Sequence, residues 1–193
     1  MSVAPGCLAF EGWLLTPEGA LLRPDEATAV VADVHLGYEW ARGAAGDLVP
    51  AHSLVETQDR LERVFGRSPS PVRRVVVAGD LVESHRPCAR TAADVSRLEA
   101  WLHRRGVALT VVLGNHDRIL AASPRAPATS ATLDVGGWKV QHGDRPIEGE
   151  RAIVGHHHPV FRAAGVSAPC FLAGPTRIVL PAFSRNAAGL DVL

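Results

Sequence analysis

The sequence is almost without lysine, is poor in cysteine and aromatic residues, and carries no net charge. Lys139 is the single lysine in 193 residues, so arginine makes up nearly all of the 20 basic residues, which balance 20 acidic ones. This neutrality removes the simplest argument for nucleic-acid binding, a strongly basic surface. The arginine excess has two explanations, a GC-rich coding bias or phosphate recognition through bidentate guanidinium contacts, and the first is favoured.

Two further absences concern location. No apolar run approaches the roughly 20 residues that span a bilayer, and the N-terminus lacks the basic and apolar regions of a secretory signal. Cys7, Cys88 and Cys170 are widely spaced and form no CxxC pair, which disfavours a disulfide framework and a zinc-thiolate site. We therefore expect a cytoplasmic protein without membrane association. Its length and 47% hydrophobic content predict one globular domain over residues 1–193.

Short apolar runs that end in polar residues mark the strands of the first half. These runs are 29–32, 75–78 and 109–113, and their continuous apolar character is typical of strands buried on both faces. Helical periodicity lies between them, over 52–65 and after a capping-box-like start at Thr91 and Asp94. The order strand–helix–strand–helix–strand predicts an α/β arrangement.

The second half is predicted to be rich in short strands. Segments 129–135, 138–141, 151–154, 170–173 and 177–180 alternate with turns that contain Gly and Pro. A β-rich half that shares a core with an α/β half predicts two stacked sheets with helices outside, an αββα sandwich.

Polar side chains follow the apolar runs, where parallel strands bring their carboxyl ends to one crevice. Carboxylates, imidazoles and an amide suit divalent ions such as Mn²⁺, Fe²⁺ or Zn²⁺. Each residue alone has a structural explanation, since Asp33 or Asp80 could cap a helix and a lone histidine is more often a surface or core residue. The joint placement of five such segments favours a metal site. These segments are Asp33-Val34-His35, Gly79-Asp80, Gly114-Asn115-His116-Asp117, Gln141-His142-Gly143-Asp144 and Gly155-His156-His157-His158.

The ordered pattern D-x-H, G-D, G-N-H-D, H, G-H-x-H resembles that of the calcineurin-like metallophosphoesterase superfamily. A closer resemblance, which includes 32–37, 48–50, 169–171 and 180–183, is to the bacterial ligase-associated DNA-damage-response endonucleases. The sequence departs from that subfamily at Tyr38, where a basic residue is common, and at Glu83, where histidine is common. These departures concern contacts to the phosphate or the leaving group and leave the metal motifs intact.

The resemblance implies two divalent ions, with manganese favoured and iron or zinc as alternatives. Asp33, His35 and His158 would hold one ion, Asn115, His142 and His156 the other, and Asp80 would bridge them. His116 would stabilise or protonate the leaving oxygen, and Asp117 would orient its imidazole. His157 points away by strand alternation, and Arg42, His85, Arg86 and Arg118 are weaker candidates for phosphate contacts.

The function implied by the resemblance is Mn²⁺-dependent hydrolysis of DNA phosphodiester bonds in DNA repair. Single-stranded DNA is the expected substrate, and a helicase and a DNA ligase are the expected partners. The same site suits a small-molecule phosphomonoesterase or a nucleotide-diphosphate hydrolase. A third alternative is a non-catalytic scaffold like the retromer subunit of the same fold. The intact ligand set and His116 argue against it.

Overall fold

The first half of the chain builds a seven-stranded mixed sheet. The structure, a computed structural model, describes residues 4–121, 126–147 and 149–192. Strands β1 to β4 are antiparallel neighbours, whereas β4 to β7 run parallel. In sheet order they are β1 (Leu8–Phe10), β2 (Trp13–Leu15), β3 (Leu21–Arg23), β4 (Thr28–Val31), β5 (Arg74–Ala78), β6 (Ala108–Val112) and β7 (Ala128–Ser130).

The second half forms a five-stranded mixed sheet and a small three-stranded one. Its strands are β8 (Leu133–Val135), β9 (Trp138–Gln141), β10 (Ala152–Val154), β11 (Pro159–Ala163), β12 (Val166–Pro169), β13 (Leu172–Ala173), β14 (Arg177–Val179) and β15 (Leu190–Asp191). The five-stranded order is β13-β14-β10-β9-β8, with β9, β10 and β14 parallel. The three-stranded order is β12-β11-β15.

Among the described residues, four helices connect the parallel strands of the first sheet. They are α1 (Tyr38–Ala44), α2 (Ser53–Arg67), α3 (Ala89–His103) and α4 (Arg118–Ala121). None of the helices in the described part of the chain is long and apolar enough to cross a membrane. A further short 3₁₀ turn, Pro24–Glu26, joins β3 to β4.

Two hydrophobic cores lie on opposite faces of the first sheet. Val75 and Val77 of β5 pack in the cluster that contains Leu61 of α2 and Leu98 of α3. Val76, between them, points to the other face, into a cluster that includes Trp13, Trp138, Val140 and Ile153. Because successive side chains of a strand alternate in direction, burial on both faces explains the continuous apolar runs.

The predicted pair of mixed sheets flanked by helices is confirmed. The described helices all precede residue 122, and they lie against the first sheet, whereas residues 126–147 and 149–192 hold strands and loops. The extent of the chain as a single domain stays a prediction.

Two local predictions are wrong. The 129–135 segment divides into β7 and β8, which belong to different sheets. Helix α3 begins at Ala89 with Cys88 as its cap, so Thr91 and Asp94 lie inside it. Asp94 instead accepts a hydrogen bond from Trp40 Nε1 at 2.7 Å, and this contact ties α3 to α1. The short strands β1 to β3, β11, β12 and β15 had no recognised signal.

Candidate metal centre

The predicted site residues follow the carboxyl ends of strands in both sheets. Asp33 comes after β4, Asp80 after β5 and Asn115 after β6, and these three strands are parallel. His142 and His156 follow the parallel pair β9 and β10. Backbone pairing continues beyond β4 and β5, where the Asp33 amide donates to Gly79 O at 3.0 Å. The site therefore forms where the two sheets meet along one edge.

The first cluster contains Asp33, His35 and His158, whose ligand atoms lie within 4.8 Å of one another. His158 Nε2 lies 3.2 Å from Asp33 Oδ1, and His158 Nδ1 lies 2.9 Å from the Ala188 carbonyl oxygen. The His156 amide donates to Asp33 Oδ2 at 2.9 Å. The carbonyl contact orients the His158 ring so that Nε2 faces the carboxylate, as outer contacts commonly orient metal ligands.

The second cluster contains Asp80, His142 and His156, again within 4.8 Å of one another. Three atoms surround His142 Nε2. They are Asn115 Oδ1 at 3.1 Å, Asp80 Oδ2 at 3.2 Å and His156 Nδ1 at 3.2 Å. Ligand atoms about 2.1 Å from one ion lie roughly 3.0–3.4 Å apart in octahedral or tetrahedral geometry, so this spacing fits a divalent cation.

The two clusters adjoin. His142 Nδ1 lies 3.9 Å from Asp33 Oδ1, and the His35 and His158 rings of the first cluster are 5.4 Å apart between centroids. His142 Nδ1 is itself held by the Ala78 carbonyl oxygen at 3.1 Å. The geometry thus brings together all seven side chains that the sequence predicts as ligands. Asp80, which was predicted to bridge the two ions, lies in the second cluster, and its bridging role stays a prediction.

Five of these seven residues have a left-handed backbone. The φ angles are 56° at Asp33, 53° at His35, 53° at Asp80, 67° at His156 and 44° at His158. A positive φ is uncommon for residues other than glycine, and such strain concentrates at functional sites. The backbone at these five residues is therefore strained, and this conformation directs their side chains into one space.

Glycines leave room for the close packing of the ligand loops. A Cβ at Gly79 would lie 2.1 Å from His142 Nδ1, and one at Gly114 would lie 2.2 Å from Asp80 Oδ1. At Gly155 the Cβ would meet Ala32 Cβ at 2.6 Å. The glycines in the G-D, G-N-H-D and G-H-x-H motifs are therefore required by clearance, and only Gly79 of the three has a positive φ.

The carboxylates and imidazoles shift one another's pKa values. Burial lowers the pKa of His142, but Asp80 and Asp33 outweigh it and raise the pKa to about 9. Burial raises the pKa of Asp80, yet the contacts with His142 and the His116 amide leave it lowered. Burial and the charge on His142 lower the pKa of His156. Without a cation, one proton on His142 therefore partly offsets the two buried carboxylates.

The buried His35 ring is consistent with a ligand at this position. His35 is 5% exposed, and neither ring nitrogen makes a hydrogen bond among the described residues, although Glu83 Oε2 lies 3.0 Å from Nδ1; Nε2 has no such neighbour. Leaving a buried polar atom unpaired costs about 1–3 kcal/mol. A cation held with Asp33 and His158 would satisfy this atom, so the residues present fit a divalent metal.

His116 and Asp117 lie beside the clusters, but not in the predicted relationship. His116 Nε2 is 4.0 Å from Asp80 Oδ2, and the ring is one-third exposed. Its Nδ1 contacts the carbonyl oxygen of Glu83, so that carbonyl, and not Asp117, orients the imidazole. The Asp117 carboxylate instead accepts from the amides of Gly114 at 3.0 Å and Val82 at 3.2 Å.

Asp117 therefore joins two ligand loops. Burial raises its pKa to about 6, although the Gly114 and Val82 amides act in the opposite direction. Its predicted role as the partner of His116 is corrected to that of a positioning residue for the backbone after β5 and β6.

Glu83 contributes more than the sequence suggested. Besides its carbonyl contact with His116, its Oε2 lies 3.0 Å from His35 Nδ1. Its position three residues after Asp80 marked it only as a departure from the subfamily pattern. A carboxylate beside a histidine ligand is the signal that could have identified it. Tyr38, the other departure, begins α1 and is half-buried.

Comparison with known proteins agrees with this site. The family model for calcineurin-like phosphoesterases matches residues 27–169, which include every predicted ligand. The chain belongs to the calcineurin-like phosphoesterase family. The fold is similar to the crystal structure of Pseudomonas putida nuclease MPE, with a TM-score of 0.74 and 22% sequence identity. That match covers 97% of this chain and 90% of the other. No curated protein matches the sequence.

As a calcineurin-like phosphoesterase, the protein is a metal-dependent phosphoesterase that uses divalent ions. The two clusters are where this chain would hold them. His157, whose ring packs 5.4 Å from that of His156, belongs to neither of these clusters.

Proposed function

We propose that this phosphoesterase is a Mn²⁺-dependent endonuclease that hydrolyses phosphodiester bonds of single-stranded DNA in DNA repair. The observation that carries the proposal is the pair of adjoining clusters with His116 at their edge. The structurally similar protein is named a nuclease, which agrees with this choice. The proposed metal ligands are Asp33, His35 and His158 in one cluster, Asn115, His142 and His156 in the other, and Asp80 between them.

When bound, the two ions would lower the pKa of a water molecule and supply positive charge to the phosphate oxygens. The chain itself fixes both carboxylates before substrate arrives. The His156 amide holds Asp33 at 2.9 Å, and the His116 amide holds Asp80 Oδ1 at 2.9 Å. Each carboxylate therefore keeps its orientation without rearrangement during the reaction.

His116 is the proposed general acid. Its Nδ1–H donates to the Glu83 carbonyl, which leaves Nε2 directed toward the site and close to Asp80. With the ring doubly protonated, Nε2–H can pass its proton to the leaving alkoxide oxygen. The ring is one-third exposed, so the proton can be restored from solvent.

The decisive assay uses closed circular single-stranded DNA with Mn²⁺. Conversion of the circle to linear products by the wild type, and its loss in Asp80→Ala and His116→Ala, would establish an endonuclease with this site. The matched control is His157→Ala, an exposed neighbouring histidine outside both clusters, which should keep full activity. Equal cleavage by His116→Ala would refute the general-acid role.

The neutral charge of the chain keeps one alternative open, a phosphoesterase of small molecules. Hydrolysis of an aryl phosphate without cleavage of circular or linear DNA would favour that alternative over the nuclease. Failure on both substrates with every divalent metal would favour the scaffold. The cytoplasmic location and the helicase and ligase partners stay predictions. Co-purification of the tagged protein with either partner class from a cell extract would test the latter.

A further inference from the structure

A groove of about 960 Å³ opens beside the first metal cluster. Its lining includes His158 of that cluster, three arginines, Arg60, Arg63 and Arg185, and the half-buried Phe171. We call this feature the basic groove. Its volume is at the upper end of the range of about 300–1,000 Å³ found for small-molecule sites.

The wall of the basic groove is attached to the metal ligands. The Ser184 amide donates to Asp33 O at 2.9 Å, and the Ala188 carbonyl contacts His158 Nδ1 at 2.9 Å. Residues 184–189 therefore connect groove and metal cluster through backbone contacts. A substrate bound at the metals and extending past His158 would enter the groove.

The three arginines have different roles. The Arg60 guanidinium donates to Phe183 O at 2.6 Å and to Glu18 O, and it lies 4.5 Å from the Phe183 ring centroid. Its hydrogen bonds to the chain make it part of the groove floor. Burial, followed by the charge of Arg185, lowers its pKa to about 10.

Arg63 and Arg185 are the groups available to a ligand. Arg63 is exposed and has no ion-pair partner in the described ranges. The Arg185 side chain is 66% exposed and pairs with Glu56 at 3.0 Å. Glu18, the other acid of this region, already pairs with Arg67 at 3.0 Å. An anion in the groove could therefore bind Arg63 directly. It could also compete with Glu56 for Arg185, because that ion pair is exposed and weakened by solvent.

We propose that the basic groove binds the sugar-phosphate backbone of single-stranded DNA on one side of the scissile bond, with Arg63 and Arg185 contacting phosphates. This inference rests on the proposed function. The charge complements phosphate, and the groove continues from the metal cluster, so a chain longer than one nucleotide is needed to reach it. The half-buried Phe171 and the exposed Pro169 offer apolar surface to unpaired bases. A base-paired duplex would hide its bases from these surfaces.

The test measures DNA binding apart from cleavage. Fluorescence anisotropy of a labelled 20-nucleotide oligothymidylate is followed with Mn²⁺ in a His116→Ala background, at several salt concentrations. We expect Arg63→Ala and Arg185→Ala each to weaken binding about three- to tenfold. Each should also reduce the slope of log K against log salt by about 0.7, the value for one phosphate contact on a single strand. Arg63→Lys, which keeps the charge, should retain most of the slope.

Two further variants make the result specific. Arg104→Ala removes an exposed arginine that precedes β6, at the opposite edge of the sheet from the metal centre, and should change nothing. Glu56→Gln frees Arg185 and should tighten binding about two- to threefold. When the groove variants are made without the His116→Ala substitution, their rate of bis(4-nitrophenyl) phosphate hydrolysis should equal that of the wild type. This diester is too short to enter the groove.

The outcomes separate the groove from the proposed function. If the oligonucleotide binds, and the salt slope in Arg63→Ala and in Arg185→Ala equals that of the wild type, the groove assignment is overturned and the nuclease proposal stands. If the wild type hydrolyses the aryl diester but neither binds nor cleaves DNA, both the nuclease proposal and the groove assignment fail. Sedimentation tests a further occupant, a second copy of the chain. If the wild type forms a dimer that Arg63→Ala and Arg185→Ala do not form, and the salt slope of DNA binding is unchanged in these variants, the groove is assigned to the second copy and the proposal is overturned.

Discussion

Replacing Gly155 by alanine should damage the metal centre through one added methyl group. Gly155 is buried directly after β10, and its Cβ would lie 2.6 Å from Ala32 Cβ, 2.7 Å from Asp33 Oδ2 and 2.9 Å from Ala78 O. Ala32 Cβ and Ala78 O cannot move without the backbone, and Asp33 Oδ2 is held by the His156 amide at 2.9 Å. Carbon atoms normally approach to about 3.5–4.0 Å, so the strand ends must separate by roughly 1 Å.

The magnitude follows from where this separation occurs. Overpacking of a well-packed core costs about 1–3 kcal/mol, and for a chain of this size each kcal/mol lowers the melting temperature by about 2–4 °C. The same shift moves Asp33 away from the amide of His156, which donates to it at 2.9 Å. We therefore expect metal affinity to fall about 10- to 100-fold, as it does when outer contacts of metal ligands are lost.

Thermal unfolding by circular dichroism and calorimetric titration with Mn²⁺ measure the two effects. The matched control is Gly66→Ala in α2, where an added Cβ meets nothing within 4 Å. That substitution should leave metal binding unchanged and raise stability by about 0.5–1 kcal/mol through helix propensity. If Gly155→Ala binds Mn²⁺ with wild-type affinity, the argument that glycine clearance positions the ligands is refuted.

Three further predictions address the ligands and the core. Because Asp80 helps to raise the pKa of His142 to about 9, Mn²⁺ must displace a proton at pH 7. Affinity should rise with pH up to about 9, and calorimetry in buffers of different ionisation enthalpy should detect about one proton released, whereas no release would show a neutral ring. Glu83→Gln removes the charge 3.0 Å from His35 Nδ1 and should weaken Mn²⁺ binding about tenfold in titration calorimetry; unchanged affinity would remove Glu83 from the site. Leu61→Ala, at a residue 2% exposed in the helix-side core, should cost about 2–5 kcal/mol in urea unfolding with metal affinity retained, and a smaller loss would contradict tight packing there.

The buried parallel strands could be predicted because their sequences carry a strong local signal. The apolar runs of β5 and β6 are buried on both faces, so they stand out from the alternating patterns of exposed strands. The three-residue strands β1 to β3 and the pairing of β11 with β15 could not be predicted. Strands β11 and β15 are far apart in the chain. Strands β1 to β3 are too short to show an alternation of apolar and polar residues.

For the site, the sequence determined the donor chemistry. Carboxylate, imidazole and amide groups at Asp33, His35, Asp80, Asn115 and the later histidines follow strand ends in a fixed order, and this order suffices to indicate a divalent metal centre. It did not determine what surrounds the ligands. Asp117 follows His116 directly in the chain, yet hydrogen bonds direct its carboxylate to the amides of Gly114 and Val82.

Only the tertiary structure decided these outer contacts and the basic groove. Arg63 lies in α2 and Arg185 near the end of the chain, and nothing in their sequence neighbourhoods relates them to His158. From the sequence, Arg42, His85, Arg86 and Arg118 are weaker candidates for phosphate contacts. Which arginines face the substrate depends on how helices and loops pack, since packing is set by contacts between residues distant in the chain. Ligand identity is local chemistry, and the arrangement around it is a property of the whole fold.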